Sequence, residues 1–318
     1  MPDEISDLVA ARKSEMIATR RHFHAFPELG FEENETAAVI AERLKDAGLE
    51  VETGIGQTGL VGVLRGAKDG PALMIRADID GLPVDELTGL DFASTNGRMH
   101  ACGHDGHITM AVTAAEILAG MKDQLAGTVI FTFQPAEEVV QGALAMIADG
   151  LFEKYPADRV IGTHLWNPIP TGIIGVNRAT VFASADQFRL VVTGKGGHGA
   201  MPHTTIDPVA AVAEIISTAQ TVVSREVPPN EMGVLTFGQI HGGSAPNVIA
   251  DSVTVEGTVR AYTLETRNTI MESLERIASN VATAMRATTS FERIHGAPPV
   301  INDPEVASWV TQQASLVV

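Results

Sequence analysis

The run Thr128-Val129-Ile130-Phe131-Thr132-Phe133 is apolar or β-branched at every position. A continuous run of that kind belongs to a strand covered on both faces. The segments around it alternate in type. Residues 4–24 read as a helix that stops short of Pro27, and Asn34 is placed to cap a second helix, 35–47, ending at Gly48. β-rich runs follow at 50–53, 59–64 and 71–77, then a helix at 106–122 with Ala111, Ala114, Ala115 and Leu118 on one face. Beyond the buried run come a helix at about 139–148 and a short strand at 159–161. Strands alternating with helices imply an α/β layer with a largely parallel sheet. Ligands of such sheets gather past the carboxyl ends of the strands. Three strands carry chemistry there: Asp78 and Asp80 after 71–77, Glu137 and Glu138 after 128–133, and His164 after 159–161.

From about Ser184 the pattern changes. A strand at 187–193 precedes an Ala/Ile-rich helix, 206–224, that starts at Asp207-Pro208. Alternating strands at 233–240 and 252–261, a helix at 263–285 and a strand at 288–294 complete the order β-α-β-β-α-β, the ferredoxin-like arrangement. The expected domains are therefore 1–183, an inserted domain at 184–293, and a return to the first domain at 294–318. Asp303-Pro304 looks like an N-cap and first-turn pair whose helix runs on to Val318 without a stop signal, so the chain is expected to finish inside an element.

Length and composition bound the function classes. At 318 residues two domains are the natural expectation, and 45% hydrophobic against 19% charged residues suits a soluble protein with a sizeable core. The formal net charge of -17 repels nucleic acid and anionic membrane, which are set aside as partners. A single cysteine cannot form an intrachain disulfide, the first residues do not read as a secretory signal, and no apolar run is long enough to span a membrane. The expected location is the cytoplasm.

That cysteine lies in Met99-His100-Ala101-Cys102-Gly103-His104-Asp105-Gly106-His107, together with three of the ten histidines. Thiolate, imidazole and carboxylate are the ligands that borderline divalent metals prefer, and a turn at Gly103 can aim Cys102 and His104 at one ion. Glu137 and Glu138 follow a buried strand and a proline, so they sit where the sheet exits. Adjacent residues point in different directions, which lets Glu138 bind metal while Glu137 stays free to move protons. With Cys102, His104 and Glu138, His164 supplies a fourth ligand from a third loop, a set suited to one or two ions. His22 and His24, two apart on a helix, face different ways and are read as structural. In the inserted domain, Gly194 to His203 lacks the spacing of a phosphate loop, while Asn247 and Arg260 are suitable donors for a carbonyl and a carboxylate.

Taken in order, Arg20-Arg21…His24…Pro27-Glu28-Leu29-Gly30, Arg76-Ala77-Asp78, Met99 through His107, Gln134 through Glu138, Gly162-Thr163-His164, His198 through His203 and Asn247-Val248-Ile249 carry a family resemblance. From about residue 15 to its end the chain resembles the metal-dependent amidohydrolases that include hippurate hydrolase, aminoacylases and indoleacetyl-amino-acid hydrolases. The resemblance implies a catalytic domain with two divalent metal ions per subunit, manganese foremost, then zinc, cobalt or nickel. It also implies a ferredoxin-like satellite domain that pairs subunits into a homodimer. Cys102, His104, Glu138 and His164 would be the metal ligands, with the Cys102 thiolate shared. Glu137 would be the general acid/base. His198 would reach an active site, the partner subunit's, and help hold the oxyanion. Asn247 would line the substrate site and Arg260 would meet a substrate carboxylate. The implied reaction is hydrolysis of the amide bond of an N-acyl amino acid or short peptide.

The chain also departs from its family. Glycines flank His198 where relatives often carry alanines. The resemblance implies that family members continue past the position of residue 318, with a further part that completes the catalytic domain and carries one more histidine ligand, so an apolar sheet edge is expected to stand open. Two other functions are carried forward as alternatives: a metal-binding or dimerisation module without turnover, and a cysteine hydrolase with Cys102 as nucleophile and His104 as base.

Overall fold

The computed structural model describes residues 2–317. The chain divides into two compact units, Met1–Gly175 with Gln312–Val318, and Val176–Thr311.

The first unit begins with α1 (Pro2–Ala11), α2 (Lys13–Ala25) and α3 (Asn34–Asp46). The hairpin β1 (Glu50–Ile55) and β2 (Gly59–Arg65) leads to β3 (Lys68–Asp78), α4 (His104–Gly120) and β4 (Ala126–Gln134). Then come α5 (Gly142–Ala148), α6 (Leu151–Lys154) and β5 (Arg159–Gly162). The sheet order is β1-β2-β4-β3-β5, with β4, β3 and β5 parallel and the β1–β2 and β2–β4 pairs antiparallel. The sheet is thus mixed, and its parallel part is the one that carries the acidic and histidine-bearing strand ends. Asp78 stands opposite Gln134 and Arg76 opposite Gly162, so the three strands finish near one edge.

Alternation along β2 builds the core. Leu60 and Leu64 pack with Phe23, Ile40, Leu44, Ile108 and Val112 from α2, α3 and α4, while Val61 and Val63 pack with Met146 and Leu151 from α5 and α6. Strand side chains alternate faces, so one strand feeds two apolar layers. Each such fully buried side chain contributes about 1.5–3 kcal/mol.

Three local departures from the sequence reading have physical causes. The helix expected at 4–24 is two helices that break at Arg12, whose guanidinium donates to Glu116 of α4 at 2.7 Å. Asn34 does not cap α3; the Glu28 carboxylate accepts from the Glu35 and Thr36 N–H groups at 3.3 and 2.8 Å instead. The helix expected from 139 starts only at Gly142, because the backbone turns left-handed at Ala136 (φ 48) and again at Val140 (φ 60).

The second unit contains β6 (Thr180–Phe182), β7 (Ala185–Thr193), β8 (Gly197–His198), α7 (Pro208–Arg225), β9 (Gly233–Gly242) and β10 (Val248–Ile249). β11 (Ser252–Ala261), α8 (Leu264–Ala284), β12 (Thr288–Ala297) and β13 (Val300–Ile301) follow. The antiparallel sheet β12-β7-β11-β9 has the ferredoxin-like order. Phe188, Leu190 and Val192 of β7 pack with α7 and α8 residues such as Ile215, Val222, Leu274 and Ala278. The Asp207 carboxylate caps α7, accepting from Val209 and Ala210, and Thr263 caps α8. β6 pairs with β13, tying together the segments on either side of the ferredoxin-like core; the unit accordingly begins at Val176 and extends to Thr311. Finally α9 (Pro304–Ala314) starts on Asp303, whose Oδ1 accepts from Glu305 and Val306 at 2.9 Å. Val318, to which that helix was expected to run, lies outside the described residues. Among the described residues no helix is long and apolar enough to cross a membrane.

Candidate metal centre

His104 opens α4, and the residue before it, Gly103, is left-handed at φ 92. Glycine reaches that conformation without a Cβ penalty, so the chain can reverse between Cys102 and His104. Three sets of ligand atoms gather there, each within 4.8 Å: Cys102, His104 and His164; His104, Glu137 and Glu138; and Asp78, His104 and His107. His104 belongs to all three and is fully buried.

Hydrogen bonds fix which nitrogen each ring presents. His104 Nδ1 lies 2.9 Å from the Asp80 carbonyl, and His164 Nδ1 lies 2.6 Å from the Leu165 carbonyl. A carbonyl only accepts, so Nδ1 carries the proton in both rings and Nε2 is turned toward the centre. His164 Nε2 is 3.5 Å from Cys102 Sγ. His104 Nε2 is 3.9 Å from a carboxylate oxygen of both Glu137 and Glu138, and 3.6 Å from Asp78 Oδ2. Asp80, anchored by the Glu138 N–H at 3.0 Å, ties the end of β3 to the turn after β4.

His107 is used differently. Its Nε2 accepts the Leu165 N–H at 2.8 Å, so the proton is on Nδ1, which donates to Asp78 Oδ1 at 2.6 Å. Arg76 donates to the other Asp78 oxygen at 2.6 Å. Burial pushes the Asp78 pKa up, but the His107 hydrogen bond and the Arg76 charge outweigh it and hold the carboxyl well below the usual range. With both nitrogens engaged by protein atoms, His107 buttresses the loop that bears His164.

The charge at the centre favours a cation. Burial lowers the His104 pKa, yet the hydrogen bond to Asp80, the nearby Cys102 thiol and the charges of Asp78 and Asp80 win and push it up to about 11. Burial raises Glu138, against the charge of His104. Among the buried atoms without a hydrogen-bond partner are His104 Nε2 and Glu138 Oε1, which face each other across 3.9 Å. Two such ligand atoms, buried side by side and unpartnered, cost stability unless a positive charge, a proton or a metal ion, sits between them. The residues present fit a metal ion of the Mn, Co, Ni or Zn type.

The two glutamates sit on a strained turn. Left-handed Ala136 and Val140 bracket them, and a β-branched residue at positive φ is a true outlier. Conformations of this kind cost on the order of 1–3 kcal/mol each and gather at functional sites. Glu138 is held inward with 19% of its side chain exposed, whereas Glu137 keeps 40% in reach of solvent.

Within the second unit, His198 of β8 pairs with Val248 of β10, and Gly199 donates to the Asn247 carbonyl at 2.8 Å, so His198 and Asn247 are neighbours and both are exposed. Arg260 is half-buried on β11, with its guanidinium turned to the Val259 carbonyl at 3.0 Å. His24, read as structural, is buried with Nδ1 2.8 Å from Asp105 and Nε2 3.1 Å from Glu86. Sequence reasoning set Asp78 and Asp80 at a strand end without a task. It gave His107 none either, because their partners lie in distant segments.

Residues 74–318 match the family model described as peptidase family M20/M25/M40. The N-acyl-L-amino acid amidohydrolase of Geobacillus stearothermophilus is 42% identical over 306 residues, 95% of this chain and 82% of that protein. The hippurate hydrolase of Campylobacter jejuni is 38% identical over 315 residues, 98% of this chain and 80% of that protein. A crystal structure of a dinuclear metal-binding M20 peptidase from Bacillus subtilis has a TM-score of 0.83 at 35% identity, covering 96% of this chain and 80% of the other. A hydrolytic family, a metal centre at a parallel strand edge and a ferredoxin-like second unit lead to one assignment: the chain belongs to peptidase family M20/M25/M40.

Proposed function

We propose that the chain hydrolyses the amide bond of N-acyl amino acids to a carboxylic acid and a free amino acid, with short peptides as the related substrate class. The observation that carries this reading is the facing pair of buried, unpartnered ligand atoms, His104 Nε2 and Glu138 Oε1, beside the half-exposed carboxylate of Glu137. The names of the Geobacillus and Campylobacter relatives support the substrate class. Cys102, His104, Glu138 and His164 would hold two divalent ions, manganese foremost, then zinc, cobalt or nickel; the dinuclear Bacillus relative supports the count of two. When bound, such ions acidify water and polarise a carbonyl.

The protein's own groups do the rest. Glu137 takes the proton of the attacking water and returns it to the leaving nitrogen. His198 donates to the oxyanion, reaching the partner subunit's site; Asn247 lines the substrate site and Arg260 receives the substrate carboxylate. A homodimer would form through the second unit, where Val234 and Ile240 are exposed on the edge strand β9. A single, unpaired cysteine suits the cytoplasm.

The deciding experiment is Glu137→Gln. Turnover of N-acetyl and N-benzoyl amino acids should fall roughly 10²–10⁴-fold, the usual worth of a general acid/base, with metal content nearly intact. An active Glu137→Gln protein would sink the assignment. The Cys102 Sγ to His164 Nε2 contact of 3.5 Å favours one competitor, a cysteine hydrolase with His164 in place of His104 as base. Activity that survives chelation and is lost on alkylation of Cys102 would support that competitor. Steady hydrolysis by the purified 318-residue chain would exclude a non-catalytic metal-binding or dimerisation module.

A further inference from the structure

The turn that carries Glu137 and Glu138 is held by a side chain more than a hundred positions earlier. Glu33 precedes α3 and has no exposed surface. Its Oε1 accepts the backbone N–H of left-handed Ala136 at 2.7 Å, and its Oε2 accepts the Thr58 hydroxyl at 2.5 Å. Burial pushes its pKa up, and Asp80, also negative, adds to that. A fully buried carboxylate held by neutral donors alone weighs against stability, so a role in shape is the more natural account of it. The turn is also hemmed in by backbone. A Cβ on Gly30 would stand 2.9 Å from Ala136 Cα, and one on Gly142 would stand 1.6 Å from the Pro135 carbonyl oxygen.

We infer that Glu33 is a positioning residue for the metal centre: by holding the Ala136 N–H it fixes the turn on which Glu137 and Glu138 are aimed. The inference rests on the proposed roles of Glu138 as ligand and Glu137 as acid/base, and it adds the group that sets their direction. Loss of the Ala136 anchor lets the turn relax toward ordinary backbone angles, which moves both carboxylates together. Displacements of about 1 Å at such a site cost on the order of 10²-fold in rate, and changes in the residues that orient metal ligands cost roughly 10–100-fold in affinity.

The test is a Co²⁺ titration without substrate on wild type, Glu33→Ala, Glu33→Gln, Gly30→Ala and Glu138→Gln, with circular dichroism to check folding. Glu33→Ala should weaken Co²⁺ binding roughly 10–100-fold. Glu33→Gln keeps a carbonyl oxygen for the Ala136 N–H and should recover to within about 3-fold of wild type. Gly30→Ala pushes on Ala136 without touching Glu33, so it should weaken binding too, and it decides the matter if Glu33→Ala fails to fold. Wild-type affinity in a folded Glu33→Ala or Gly30→Ala protein, or equal losses in Glu33→Ala and Glu33→Gln, would overturn the inference. A Glu138→Gln protein with wild-type affinity would overturn the ligand reading and this inference with it. A weakened Glu138→Gln beside an unchanged Glu33→Ala would overturn this inference alone. Because no substrate is present, failure of the amide-hydrolysis reading leaves these outcomes undisturbed.

Discussion

His107 commits both ring nitrogens to the protein, one to Asp78 and one to the Leu165 N–H. Replacing it with alanine leaves Asp78 buried with the Arg76 hydrogen bond and the more distant His104 ring, and takes the acceptor from Leu165. A lost partner of this kind costs about 1–3 kcal/mol, which urea unfolding of His107→Ala should register. His164 adjoins Leu165, so metal affinity should also fall, by roughly 10–100-fold. A stability loss with unchanged affinity would make His107 merely structural. The same contrast explains what could be read at this scale. That Cys102, His104, Glu138 and His164 come together was legible because ligand-type residues stand out when they crowd a short stretch or end an apolar strand. The work of Asp78, His107 and Glu33 was not, because each is defined by a partner from another segment. Glu33 in particular looks like one of several acidic residues before a helix, and only the fold brings Ala136 to it.

Elements were legible where their ends are written locally and illegible where a distant group writes them. Asp207 and Asp303 were expected to open helices, and each does so with its own carboxylate on the first free N–H groups. Asp207→Ala should therefore cost about 1 kcal/mol of stability, read as a lower unfolding midpoint, with Co²⁺ affinity unchanged. A change in affinity from that substitution would contradict a purely local role. Helix α3 is the counter-example. Its capping carboxylate comes from Glu28, outside the helix, so Asn34 was credited with a task it does not perform. The late start of α5 has a similar origin. The residues from 139 suit a helix, but the turn that aims the two glutamates is completed first, through Val140 at positive φ.

For the whole chain, the alternation of strands with helices foretold the first unit, and the β-α-β-β-α-β order foretold the second. Pairing direction was harder. Nothing in residues 50–65 distinguishes an antiparallel hairpin from parallel strands until their partners are known, so the sheet expected to be largely parallel is mixed. Each unit has its own apolar clusters, and every residue proposed to bind metal lies between 102 and 164, inside the first unit. Metal binding should therefore stabilise one unit and not the other. Metal at 100 times its dissociation constant adds about 2.7 kcal/mol to whatever unfolds with the site. Calorimetry of the metal-loaded chain should show two transitions, one of which falls on chelation while the other stays in place. The stationary one should match the melting of residues 176–311 expressed alone, a segment with a complete sheet, two packed helices and a capping residue for each. If both transitions moved together, the units would unfold as one, and the metal would be stabilising the ferredoxin-like sheet as well as the strand ends that hold it.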